Sequence, residues 1–206
     1  MTDYSRATWA TTDTPKKWDA FMAHDNGNPS RYLAYYLIAR HVWGQERTSS
    51  MAEVGFGGAQ DFRWAWRQLH DRGLVGYTGY EIMADFVEWA GERYPGYDFR
   101  AGGFMDLEEY DITYTRHTLE HAHPFLWRKC LARLLRATRE LCVLTWFMPP
   151  GHGNAMARNW TGQSWQNKYD QGKVLKVVKG MGFNVTIWPV ATNEVWEMRR
   201  DDGSGT

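Results

Sequence analysis

An acid, Glu53, stands two places ahead of Gly55, and Gly57, Gly58 and Ala59 complete a run of small residues behind it. Glycine has no side chain to keep a ligand away from the backbone, so such a turn lets bare N–H groups approach polar atoms. A second acid, Glu81, closes the next apolar run. Asp111 opens a later one, and His117, Glu120, His121 and His123 follow it in a row. Imidazoles with a carboxylate at that spacing are compatible with a metal site, with general-base work, or with the plain wall of a pocket.

Positioning these groups requires strands that end at them and helices that begin after them. The stretch from Ser49 reads as a short buried strand that delivers Glu53 to its carboxyl end, where open α/β sheets bind ligands. Beyond the turn, Phe62, Ala65, Trp66 and Leu69 recur at the spacing of one helix face, and Gly73 ends that helix. Val75 to Glu81 is the second strand, and a helix with Phe86, Trp89 and Ala90 on one face follows it. After Pro95 and Gly96, Tyr97 to Ala101 forms a third strand, and Tyr110 to Tyr114 a fourth. A helix from Pro124 to about Ala137 precedes an apolar fifth strand, Leu141 to Phe147. Met148 to about Trp165 reads as a long loop, and Val174, Val177, Val178 and Met181 mark another helix face. Phe183 to Val190 and Glu194 to Met198 close the chain as two strands.

Alternation of strand and helix predicts right-handed crossovers and a mainly parallel sheet. The last two strands lie too close for a helical crossover, so at least one runs antiparallel. Ahead of the core, Thr14 with Pro15 and Asn28 with Pro29 each read as a helix cap followed by a first-turn proline. The second of these helices, about Pro29 to Trp43, is apolar or aromatic nearly all round and must be covered on several sides.

Composition narrows the class. With 206 residues, 43% hydrophobic and 23% charged, the chain is an ordinary globular one, long enough for one full α/β domain. Lysine plus arginine equals aspartate plus glutamate at 24 each, which argues against a protein that holds nucleic acid mainly by charge and leaves only a local basic patch. No apolar run reaches the roughly 18 residues of a membrane span, and the first residues lack a signal-peptide core. A cytoplasmic protein with no membrane partner, monomeric or homodimeric, is the expectation. Cys130 and Cys142 are isolated and read as reduced thiols. The 12 tryptophans either thicken the core or line a pocket.

The ordered set, from the Glu53 turn through Glu81 to Leu119-Glu120-His121, resembles the class I S-adenosylmethionine-dependent methyltransferases over about residues 47–198. The resemblance implies a doubly wound, seven-stranded, mainly parallel α/β sheet (the Rossmann-like methyltransferase fold). It further implies a cofactor-binding core over 47–200; the two helix starts make residues 1–46 an N-terminal helical cap, and the polar residues 201–206 read as a disordered tail. It implies S-adenosylmethionine as cofactor, S-adenosylhomocysteine as product, and in-line methyl transfer to a small molecule such as a sugar or other hydroxylated metabolite. The implied cofactor contacts are Glu53, Gly55, Phe56, Gly57 and Gly58 at the methionine end, then Glu81 and Ile82 at the ribose. Phe104, Met105 and Asp106 fall at the adenine, and Thr115 and Arg116 after the fourth strand. A carboxylate at Glu81 suits a ribose because it accepts hydrogen bonds from both hydroxyls.

The chain departs from the family at Gly103, where many members carry an acid. A nicotinamide-dependent dehydrogenase shares the glycine turn and the second acid, but its fingerprint needs a glycine where Gln60 stands. If a base is used, His117 or His121 is the first choice, and both serve equally as pocket wall; no metal is implied. Trp146, Phe147, His152, Asn154, Trp160 and Trp165 are expected around the acceptor, with Trp18, Tyr32 and Tyr36 folding over the cofactor as a lid. A nucleic-acid or protein methyltransferase, and a cofactor-binding protein with other chemistry, are the alternatives.

Overall fold

The computed structural model describes residues 29–146, 157–160 and 165–201. In chain order the elements are α1 (Pro29–Val42), β1 (Ser49–Val54), a π turn (Phe62–Trp66) running into α2 (Arg67–Asp71), β2 (Val75–Glu81), α3 (Ala84–Arg93), β3 (Asp98–Ala101) and β4 (Tyr110–Arg116). They continue as α4 (Trp127–Ala137), β5 (Thr138–Trp146), β6 (Ala157–Trp160), β7 (Trp165–Lys168), α5 (Gln171–Gly180), β8 (Phe183–Val190) and β9 (Asn193–Arg200). Seven of the strands form one sheet in the order β3-β2-β1-β4-β5-β9-β8. β1 to β5 run parallel, β9 is antiparallel to β5, and β8 is antiparallel to β9. The doubly wound sheet and its antiparallel closing pair follow the sequence pattern.

Side chains alternate between the two faces of each strand, which splits the core in two. On one face Leu37 and Ile38 of α1, Phe62 and Trp66 of the π turn and Phe86 of α3 pack with Met51 and Ile112. On the other, Leu131 and Leu134 of α4 and Val174 and Val178 of α5 pack with Ala52, Leu144 and Trp196. α1 is therefore a layer of the core. It lies against β5 and β9, and Arg40 and His41 reach Glu197 and Glu140 on those strands at 2.7 and 2.9 Å. Its coverage is one broad face, because Tyr32 and Tyr36 remain about half exposed. Tyr32 meets Trp64 edge-on at 4.6 Å, and Arg40 lies over the Tyr36 ring at 5.7 Å.

Two expectations change, at the long loop and at Trp146, while Asp111 opens the fourth strand as read. The loop from Met148 to Trp165 contains a hairpin, β6 with β7, whose polar residues Arg158, Asn159, Gln166 and Asn167 carry no strand-like alternation. Trp146, expected beside an acceptor, is fully buried, with ring centroids 5.9 Å from Tyr169 and 5.7 Å from Trp196. Asp111 lies at the amino end of β4, away from the ligand-binding strand ends, and fastens β1 to β4. It accepts from Ser50 N at 2.8 Å and from Arg47 Nη1 at 2.8 Å. Burial alone would raise its pKa, but those bonds hold it down at about 2. The two cysteines are free thiols, Cys130 in α4 and Cys142 in β5. Thr14, Pro15, Trp18, Phe147, His152, Asn154 and the tail beyond Asp201 lie outside the described residues, as do the side chains of Trp160 and Trp165.

Because α1 belongs to the core, Ile38→Ala should lower the unfolding free energy by about 2–5 kcal/mol. Tyr36→Ala, on the exposed side of the same helix, should change it by less than about 1 kcal/mol. Urea unfolding of the two variants checks this, and equal midpoints would contradict it.

Candidate functional site

The carboxyl ends of β1, β2, β3 and β4 are brought level by the register, which pairs Val54 with Tyr80, Glu81 with Ala101 and Val54 with Thr115. Gly55 leaves β1 with φ +76°, and its N–H donates to the Tyr80 carbonyl at 2.8 Å. A Cβ at Gly55 would lie 2.4 Å from Thr118 Oγ1, so glycine is required both for the left-handed backbone and for the close approach. Gly57, at φ +49°, faces open space. Gly58 is buried, and Ala59 takes a left-handed φ of +51° without being glycine. The Phe56 ring turns into the core against Phe99 at 5.0 Å, so its backbone is what borders the turn.

Glu81 bridges the turn and the second strand. Its Oε2 accepts from Gly57 N at 3.0 Å, and its Oε1 accepts from Ile82 N at 2.8 Å and Met83 N at 3.2 Å. Burial raises its pKa, and the three N–H groups oppose that rise. Ile82, directly after Glu81, is 44% exposed, and Met105, on the connection after β3, is 60% exposed. At Gly103, where no acid stands, a Cβ would lie 3.0 Å from Ile82 Cγ2. Asp106 folds back instead, accepting from Gly103 N at 2.8 Å across a 3₁₀ turn (Phe104–Asp106), while Phe104 is buried.

Beneath the turn lies a buried charge network that the sequence reading missed. Asp61 is 3% exposed and accepts from Arg31 Nε at 2.5 Å, Arg116 Nε at 2.6 Å and Tyr114 Oη at 2.9 Å. Burial alone would raise the Asp61 pKa, but Arg116 and Arg31 hold it below the ordinary carboxylate value. Arg31 also donates to Gln60 Oε1 at 2.8 Å, and Gln60 Nε2 has no acceptor among the described residues. Glu53 shares this buried region. Its carboxylate accepts from Tyr77 Oη at 2.7 Å, and burial followed by the Asp61 charge raises its pKa. The geometry gives Glu53 a buried tyrosine partner below the turn.

Beyond β4, Thr115 Oγ1 donates to the Val54 carbonyl at 2.9 Å and locks the tips of β1 and β4 together. His117 adopts φ +54°, and its N–H donates to the Thr145 carbonyl at 3.0 Å. Burial, then the Arg116 charge, depress its pKa to about 3, so it is a neutral imidazole in ordinary buffers and a weak base. His121 ends a 3₁₀ turn (Leu119–His121) that is clamped from outside. Asn167 Nδ2 donates to the Glu120 and Ala122 carbonyls, each at 2.8 Å, and Tyr169 Oη donates to the Leu119 carbonyl at 2.9 Å. The arrangement therefore joins an open backbone turn, a carboxylate, the exposed Ile82 side chain and two histidines at the carboxyl ends of the strands.

Two measurements test this geometry. Gly55→Ala forces a side chain against Thr118 at positive φ and should lower the unfolding free energy by about 2–4 kcal/mol in urea titrations. For His117, the folded pKa of about 3 lies below the ordinary 6.5, so the folded state binds fewer protons than the unfolded chain between those values. Its contribution to stability is complete above pH 6.5 and is lost as the pH falls toward 3. His117→Asn, which tolerates the left-handed backbone, should gain stability relative to the unmodified chain between pH 7 and pH 5. An unchanged difference between the two pH values would contradict the assignment.

No family model matches the chain, and no curated protein matches it. Solved structures do. The 1,6-didemethyltoxoflavin-N1-methyltransferase of Burkholderia thailandensis, solved with 1,6-didemethyltoxoflavin and S-adenosylhomocysteine, superposes with a TM-score of 0.64 at 14% identity, over 94% of this chain and 93% of that one. The magnesium protoporphyrin IX methyltransferase of Synechocystis PCC 6803, solved with S-adenosylmethionine, gives 0.60 at 14% identity, over 84% and 78%. The (4+2)-cyclase SpnF gives 0.62 at 14% identity, over 83% and 80%. At such identities the likeness establishes architecture: the chain has the Rossmann-like methyltransferase fold.

Proposed function

We propose that this chain is an S-adenosylmethionine-dependent methyltransferase acting on a small molecule. The observation that carries the proposal is the Glu81 carboxylate, held at the end of β2 by three backbone N–H groups and set against the Gly57 turn. Ionised, it has four lone-pair positions, so it retains capacity for a sugar hydroxyl beyond those three bonds.

The residues fit the group. A Cβ at Gly57 would meet nothing within 4 Å, so a ligand has room to approach the backbone there. Gln60 Nε2 is a buried donor without an acceptor among the described residues, suited to a carboxylate at the methionine end. Ile82 and Met105 offer exposed apolar surface for a flat base. Bound S-adenosylmethionine would supply an electrophilic methyl group on a sulfonium. The chain's own task is then positioning, since in-line displacement depends chiefly on near-attack geometry. Glu81 would orient the ribose, and the Gly55 to Gly58 backbone would admit the amino-acid end. Arg31, Asp61 and Arg116 keep that turn rigid. His117, held neutral, serves as pocket wall or hydrogen-bond partner. His121 is left as the candidate base for a hydroxyl acceptor, such as a sugar or other hydroxylated metabolite.

A second reading, cofactor binding with chemistry other than methyl transfer, is favoured by the low basicity of His117 and by the shared fold of SpnF. Calorimetric titration with S-adenosylhomocysteine tests the common part. The unmodified chain should bind, and Glu81→Gln should weaken binding about 10- to 100-fold, the loss expected for hydrogen bonds to a charged group. Absent binding, or equal binding by the variant, would contradict the proposal. Incubation with S-adenosylmethionine alone separates the two readings, because turnover without any acceptor favours the second.

A further inference from the structure

The chain is neutral overall, yet its charge is segregated. α4 and α5 pack against each other on one face of the sheet. Together they carry Arg128, Lys129, Arg133, Arg136, Lys173, Lys176 and Lys179 and no acid at all. All but Arg133 are exposed. The inward positions of both helices are apolar, Leu131, Leu134, Leu135, Val174 and Val178, so the outward faces are left to these cations. An excess of seven positive charges on two adjacent helices of a neutral chain forms a local field that overall composition conceals.

The surface is shaped as well as charged. The connection from β3 to β4 contains only the 3₁₀ turn Phe104–Asp106. No helix stands beside α4 on that side among the described residues. A groove of about 410 Å³ results, lined by Met105, Arg128, Lys129, Ala132, Arg133 and Arg136. Arg133 is engaged, its Nη2 donating to the Leu107 carbonyl, which fixes one wall. Arg128 lies over the Trp127 ring at 5.3 Å. At the head of α4, Phe125 is 72% exposed, and Met105 inside the groove is 60% exposed.

We propose that the α4–α5 face binds single-stranded nucleic acid, its phosphates along the cations of the groove and its bases against Phe125. Cations lining a groove beside exposed flat or apolar side chains match a phosphodiester strand, which presents regular charge and stackable faces together. The groove begins at Met105, on the loop that borders the candidate cofactor site, but the proposal concerns binding and does not require the strand to be the methyl acceptor.

Fluorescence anisotropy with a labelled, unstructured 20-nucleotide oligouridylate tests this on the full chain without cofactor, so its outcome is independent of the methyltransferase reading. Binding at 50 mM salt should weaken roughly 50-fold at 200 mM, the response for about four phosphate contacts on a single strand. Arg128→Gln, Lys129→Gln and Arg136→Gln combined should weaken binding at 50 mM salt at least about tenfold and flatten the salt dependence toward that of about one contact. An unchanged urea midpoint shows that this variant folds. No binding by the unmodified chain, or equal binding by the variant, would overturn the proposal. So would binding to vesicles of phosphatidylcholine with phosphatidylserine but not to the oligonucleotide.

Discussion

One buried carboxylate, Asp61, holds the candidate site in place. It sits just past the glycine turn and is gripped by Arg31 from α1 and by Tyr114 and Arg116 from β4. These groups come from three separate stretches of chain, so the turn cannot shift without breaking an ion pair that water does not reach. A buried ion pair gains little over a packed apolar core, because both charges lose their hydration. Its significance is directional. Removing one partner leaves a charge unpaired in the interior, so α1, the turn and β4 are constrained to a single arrangement. Glu53, raised in pKa beside this network, lends its carboxylate to Tyr77 within the same buried cluster.

That constraint explains how a ligand-facing edge can be built from backbone. Gly55 and Gly57 have little side chain of their own to fix them, and glycine is the most flexible residue in an unfolded chain. The rigidity comes from below, through Asp61, and from the side, through Glu81 on Gly57 N. Thr118 closes over Gly55 so tightly that no side chain fits between them. The polar groups that remain, Gln60 Nε2 and the Glu81 carboxylate, are thereby presented in fixed positions, which is what an in-line reaction asks of its site.

The strands were legible because each apolar run ends in a residue that stops it. Gly73 and Gly96 take the positive φ that their turns need, and Phe62, Ala65, Trp66 and Leu69 fall on one fully buried face as their spacing predicts. The glycine turn and Glu81 were legible for the same reason, since backbone conformation and strand-end position are local properties. What stayed hidden depends on residues far apart in sequence. Arg31 finds Asp61 across 30 positions, and Arg116 finds it across 55. Neither pairing leaves a periodic signal. Ala59 and His117 occupy left-handed backbone that sequence rules assign to glycine or asparagine. The β6–β7 hairpin is polar, and Asn167 acts through carbonyls of a turn more than 40 residues earlier. Trp146 was misplaced because an aromatic residue at a strand end fits a pocket wall and a core equally well. The basic face of α4 and α5 was concealed by a neutral total.

The central claim is that the edge formed by the Gly55 turn, Glu81, Ile82 and Met105 receives an adenosyl group. A crystal structure of the chain with S-adenosylhomocysteine tests it most directly. A ribose hydroxyl should lie within hydrogen-bonding distance of the Glu81 carboxylate, with the adenine against Ile82 and Met105. A ribose bound away from Glu81, or a ligand lodged elsewhere on the molecule, would contradict the account.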